Sequence, residues 1–127
     1  MLDYLIRNAR IVDGSGKPSY PADVGIKGDK IEQVGNLAGA AAHRVIDAGG
    51  RYLTPGFLDV HRHGEAAAFR PDYGRAELAQ GLTAVVNGNC GLSLAPVLGP
   101  FRQDILDYLA PVVGRMPDGS GFSSVAE

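Results

Sequence analysis

Two continuous apolar runs, Phe57-Leu58-Asp59-Val60-His61 and Leu82-Thr83-Ala84-Val85-Val86, constrain the fold of this chain more than any other feature. Between them, Gly74 to Gln80 carries Ala76, Leu78 and Ala79 in a helical pattern that stops at Gly81. Strand, helix and strand at this spacing form a βαβ unit. Its crossover makes the two strands parallel, and strands of that kind are ordinarily buried on both faces. A second helix is expected from Phe101 to Val113, after Pro100 and with Pro111 near its end, and the tail from Met116 to Ser124 is turn-rich.

The residues before Thr54 follow a different pattern. Tyr4 to Arg7, Arg10 to Val12, Ala22 to Ile26, Lys30 to Val34 and Arg44 to Asp47 read as short strands, several of them alternating. Lys27-Gly28-Asp29 is a hairpin loop, and Asp13-Gly14-Ser15-Gly16 and Ala48-Gly49-Gly50 are turns. The expected organisation is therefore a small β-layer with one polar face over residues 1–54, followed by the βαβ segment over residues 55–127. One βαβ unit can neither close a barrel nor cover both faces of a sheet, so the chain is expected to be a piece of a longer protein.

Bulk composition narrows the function. Net charge is -2, and the 12 basic residues form no run, which argues against a nucleic-acid surface. No basic n-region with a long apolar segment occurs, so neither a signal peptide nor a membrane partner is expected. The single cysteine, Cys90, excludes an internal disulfide framework and points to a reducing, cytoplasmic setting. Glycine is frequent, 18 residues, but falls at turns without a period, so collagen-like readings fail.

The chemistry concentrates at two strand ends. In His61-Arg62-His63, strand parity sends both imidazoles to one side, where two nitrogens can grip one divalent metal. Asp59 shares that parity and is a candidate to orient an imidazole. Asn87-Gly88-Asn89-Cys90-Gly91 follows the second strand, with flanking glycines that permit a tight loop. Most free cysteines are small buried hydrophobes. Beside a His-x-His at the same sheet end, a zinc-ligating thiolate is the favoured reading for Cys90. His43 is expected to be exposed, and Glu65 and Asp72 are expected to be loop charges that could face the site.

These residues resemble a known family. Thr54-Pro55-Gly56-Phe57-Leu58-Asp59-Val60-His61-Arg62-His63 is similar to the first barrel strand of the amidohydrolase superfamily, with its Pro-Gly-hydrophobic-Asp-x-His-x-His pattern. Residues 3–35, with the Asn-Ala-x-Ile-Val-Asp-Gly run at Asn8 to Gly14, look like the small β-domain that precedes that barrel. The stretch from Gln80 to Pro96, containing Gly88-Asn89-Cys90-Gly91, resembles the N-acyl-D-amino-acid deacylases, or D-aminoacylases. The resemblance implies an α/β fold, the N-terminal part of a (β/α)8 TIM barrel preceded by a small β-sandwich. It implies a hydrolase of small N-acyl amino acids, with Cys90, His61 and His63 as metal ligands. It further implies one tight zinc, to which Cys90 and two later histidines contribute. A second, weaker metal position would use the His-x-His pair and a late aspartate that is also the general base.

Two departures bear on the substrate. Arg62 stands where the family has a small or uncharged residue, and Gly64-Glu65 replaces an acidic pair. Arg62 could bind a substrate carboxylate or pack outward by parity. The alternative activity is a cyclic amidase of the dihydropyrimidinase or dihydroorotase type; those that resemble dihydropyrimidinases use a carboxylated lysine and lack Gly-Asn-Cys-Gly. A non-catalytic piece that only packs against a partner is the reading from another class. The 127-residue chain itself is expected to be inactive and to self-associate.

Overall fold

In the computed structural model of the chain, residues 1–117 and 121–125 are described. The chain divides into two compact units, Met1–Pro55 and Gly56–Glu127.

The first unit is a single five-stranded sheet. Its strands are β1 (Leu2–Ile11), β2 (Tyr20–Lys27), β3 (Lys30–Gly35), β4 (Ala42–Asp47) and β5 (Tyr52–Leu53). The order is β3-β2-β1-β4, and β5 also pairs with β1. β1 runs antiparallel to β2, and β2 to β3, while β4 and β5 lie parallel to β1. Within this unit the described strands form one sheet layer. Its core gathers Ala9, Ile11 and Val24, flanked by Ile6, Ala22, Ile26, Ala48 and Leu53. Leu5 is completely buried.

The two strands expected around Asn8 are one. β1 continues through Asn8, whose φ of 57° lies in the left-handed region, and the register with β2 shifts between Ile6 and Ala9. Asn8 manages this bulge by local hydrogen bonding. Its N–H donates to Asp23 Oδ1 at 2.9 Å, and its Nδ2 donates to Asp47 Oδ1 at 3.0 Å. Asp23 also accepts the Leu37 N–H at 3.0 Å, and Asp47 the Gly49 N–H at 2.8 Å. The Asn8 and Leu37 backbone N–H groups hold the Asp23 carboxyl below its ordinary range. The Asn8 side chain, then the Gly49 N–H, do the same for Asp47.

The second unit contains β6 (Phe57–Asp59), α1 (Arg75–Ala79), β7 (Leu82–Val85) and α2 (Arg102–Val113), with short 3₁₀ turns at Ala66–Phe69 and Asn89–Gly91. β6 and β7 pair in parallel, as the βαβ pattern requires, with Leu58 opposite Ala84 and Asp59 opposite Val85. A glycine at 56 is required by proximity. A Cβ there would stand 2.1 Å from Thr83 Oγ1 and 2.2 Å from its methyl group. The strands depart from expectation in burial. Phe57 is 55%, Leu58 65% and Val60 69% exposed, because no element of the described residues covers both faces of a two-stranded sheet.

The apolar core of this unit lies elsewhere. Leu106, Leu109 and Val113 form one stripe of α2 at helical spacing and pack with Ala66, Leu94, Val97 and Met116. Ala66 and Leu94 bring the segments that follow His63 and Cys90 onto a common support. Of the turn-rich tail, residues 118–120 lie outside the described residues. Among those described, no helix is long and apolar enough to cross a membrane.

Candidate metal centre

Backbone pairing continues beyond the last strand residues and carries both motifs to the same end of the sheet. The Val86 N–H donates to the Asp59 carbonyl at 2.8 Å, and the Arg62 N–H donates to the Val86 carbonyl at 3.1 Å. His61, His63 and Cys90 are thereby brought together, with one ligand atom from each within 4.8 Å of the others. Adjacent parallel strands with both motifs at their carboxyl ends predict roughly 4 to 8 Å between thiol and imidazole. The separation is shorter: Cys90 Sγ stands 3.4 Å from His61 Nε2. The two imidazole rings meet edge to face, with centroids 5.5 Å apart.

The donor set fits a zinc-like cation on two counts. A sulfur and a nitrogen on one tetrahedral zinc, at about 2.3 and 2.0 Å from it, stand about 3.5 Å apart, close to the observed spacing. His63 Nδ1 is buried without a hydrogen-bond partner, a nitrogen lone pair or N–H that protein atoms leave unsatisfied. Cys90 itself has φ 58° and ψ 17°, so its backbone takes the left-handed turn for which the flanking glycines prepare the loop.

Three side-chain hydrogen bonds stitch the two ligand-bearing loops together. The Gly64 N–H donates to Asn87 Oδ1 at 3.2 Å, and the Gly88 N–H donates to Glu65 Oε1 at 2.8 Å. Asn89 Nδ2 makes the third, donating to the Arg62 carbonyl at 3.3 Å, and also donates within its own loop to the Val86 carbonyl at 2.8 Å.

The Amidohydrolase family profile matches residues 44–115, which hold both strand ends and all three donors. The chain belongs to the amidohydrolase family. Among its amidohydrolase relatives, D-aminoacylase of Alcaligenes xylosoxydans xylosoxydans is 41% identical over 83% of this chain and 22% of its own length. D-hydantoinase of Rhizobium radiobacter is 48% identical over 99% of this chain and 26% of its own. The crystal structure of N-acyl-D-glutamate deacylase from Bordetella bronchiseptica superposes with a TM-score of 0.84 at 35% identity, over 98% of this chain and 25% of that one. That deacylase was crystallised with zinc and a phosphonate mimic of the tetrahedral intermediate. The chain thus spans about a quarter of the length of these amidohydrolases.

Against this family frame, several residues sit otherwise than their sequence positions suggested. Asp59 does not reach an imidazole: Oδ1 accepts the His61 backbone N–H at 3.2 Å, and Oδ2 lies 3.8 Å from Arg62. Arg62 turns to helix α1, where its guanidinium is ion-paired with Glu77. Its own backbone N–H first, and Arg62 next, hold the Glu77 carboxyl below its ordinary range. Glu65 is a clasp on the Cys90 loop, half-buried and bonded to Gly88, where a solvated loop charge was expected. His43 is exposed, and Asp72 pairs on the surface with Arg70.

Sequence reasoning missed Glu77, Asn87 and Asn89. The two asparagines lay within the motif already singled out, and their capacity to accept and donate at once was the available signal. Nothing local marked Glu77, which reaches Arg62 across 15 positions.

Proposed function

We propose that this chain supplies metal-binding residues of a zinc-dependent amidohydrolase that cleaves the amide of N-acyl-D-amino acids. The observation that carries this reading is the convergence of Cys90 with His61 and His63, a sulfur-nitrogen donor set at metal-ligand spacing. The D-aminoacylase relative and the zinc-bound Bordetella deacylase support it.

When bound, zinc lowers the pKa of a coordinated water and polarises the scissile carbonyl. Water oxygen bonds to the acyl carbon, the C–N bond breaks, and the products are a carboxylate and a free D-amino acid. Within this chain, Cys90 would supply the soft anionic donor and the two histidines the neutral nitrogens. Glu65, Asn87 and Asn89 keep the two loops in register, so the donors are held before a metal arrives. The general base and the remaining ligands are assigned to the parent protein's other segments, and activity is a property of that longer protein. A second, weaker metal position at the histidine pair fits the same donors.

The D-hydantoinase identity favours a second reading, cleavage of a cyclic amide. Cys90 in the donor cluster weighs against it, since the resemblance to dihydropyrimidinases implies a carboxylated lysine as metal bridge. The deciding assay gives the parent-length zinc enzyme N-acetyl-D-amino acids and, separately, 5-substituted hydantoins. Release of free amine from the former alone supports the deacylase. Turnover of hydantoins alone overturns it.

A further inference from the structure

The Arg62 side chain stands between two carboxylates in a line of contacts that ends on a proposed ligand. Glu77 of α1 ion-pairs with the guanidinium, and Asp59 Oδ2 lies 3.8 Å from it. The other Asp59 oxygen accepts the His61 backbone N–H at 3.2 Å. The Arg62 carbonyl accepts the Asn89 amide at 3.3 Å, one residue from Cys90. Arg62 therefore touches strand end, helix and cysteine loop at once. The arginine and glutamate side chains are only 30% and 13% exposed, which separates this pair from fully solvated surface pairs of negligible worth.

We propose that Arg62 is a positioning residue for the metal centre: anchored on Glu77, it holds Asp59 on the His61 backbone and so fixes the imidazoles against the Cys90 sulfur. The proposal rests on the metal reading above. It also explains how a cation is tolerated beside ligands for a divalent metal. Two carboxylates neutralise it, and the planar guanidinium can meet both at once where an ammonium meets them less well.

Charge and positioning make opposite predictions, which gives the test its sign. Were Arg62 only a nearby positive charge, removing it would leave Asp59 and Glu77 uncompensated and would tighten cation binding. Were it a positioning residue, removing it would loosen the donors and weaken binding, in the range of about 10- to 100-fold typical of groups that orient ligands.

The experiment titrates Co(II) into the metal-free parent-length protein and follows the thiolate-to-cobalt absorption band, for wild type, Arg62→Met, Arg62→Lys, Glu77→Gln and the Arg62→Met/Glu77→Gln pair. The expected result is weaker cobalt binding by about tenfold or more in Arg62→Met, with a shifted band. Arg62→Lys should recover part of the loss. The double variant should be no worse than Arg62→Met, since both changes cut the same line of contacts. Glu77→Gln is the milder variant should Arg62→Met fold poorly. Unchanged or tighter binding in Arg62→Met, with unchanged binding in Glu77→Gln, overturns the positioning role. A wild-type parent-length protein with no thiolate band overturns the metal reading itself, a different and recognisable failure.

Discussion

Cys90 Sγ and His61 Nε2 stand 3.4 Å apart although 29 positions separate them in the chain. Their meeting requires the parallel pairing of β6 with β7 and the hydrogen bonds that extend it past Val86. Cys90 is exposed, so its thiol should alkylate readily in the metal-free chain. Zinc should slow iodoacetamide labelling sharply by occupying the sulfur. In the parent-length enzyme, Cys90→Ala should lose zinc on dialysis, while His61→Ala keeps much of the metal and loses activity. Equal zinc content in wild type and Cys90→Ala would count against the thiolate as ligand.

The 127-residue chain, supplied with zinc and a panel of N-acetyl-D-amino acids, should release no amine above background. On the proposed reading, the three donors at this sheet end would hold a metal while the base that deprotonates its water comes from another segment. Turnover that follows the protein through purification would contradict the assignment of the base to another segment.

Asn8 gives a stability prediction in the first unit. Asn8→Ala leaves a Cβ in the left-handed region but removes the bond to Asp47 that offsets its strain, and should destabilise by about 1–2 kcal/mol. Asn8→Gly loses the same bond without the steric cost, so it should lie between wild type and alanine. Urea melts of the three proteins give the order; alanine equal to glycine would remove backbone strain from the explanation.

Acid should weaken the same region. Asp23 and Asp47 both have folded-state pKa values lowered below 3.8 by the bonds they accept. The stability they contribute is fully present above the ordinary carboxylate value and is lost as pH falls through the lowered ones. Melts of wild type should therefore steepen in their pH dependence below about pH 4, a loss that Asp23→Asn and Asp47→Asn should blunt. An identical acid slope in the double variant would show that these carboxyls do not set it.

Self-association is expected from the exposed edge and apolar side chains of β6. Sedimentation should show species larger than a monomer, reduced by Leu58→Lys. A monomer at all accessible concentrations would show that Phe57, Leu58 and Val60 tolerate water without a partner.

The clustering of His61, His63 and Cys90 was legible because it depends on local rules. Parity put His61 and His63 on one side, and a βαβ pattern put Cys90 at the same end. The bulge at Asn8 was not legible, since an asparagine between Arg7 and Ala9 reads as a strand break until Asp23 and Asp47, 15 and 39 positions away, supply its partners. Burial of β6 was misjudged for a related reason. A continuous apolar run states what a strand can be covered by, and among the described residues no element supplies that cover on both faces. The line from Glu77 through Arg62 to Asp59 depends on where α1 comes to rest, which no periodicity encodes.

Gly56 and Thr83 compete for one small volume, and that rivalry has a consequence for anyone redesigning this protein. A library that varies position 56 with Thr83 held fixed will return glycine alone, because even a methyl group would overlap the threonine by more than an ångström relative to ordinary contact. The two positions should instead be diversified as one locus, with alanine at 56 admitted only alongside glycine at 83. The Pro-Gly signature at the start of β6 would then be portable to other scaffolds only when its distant companion travels with it.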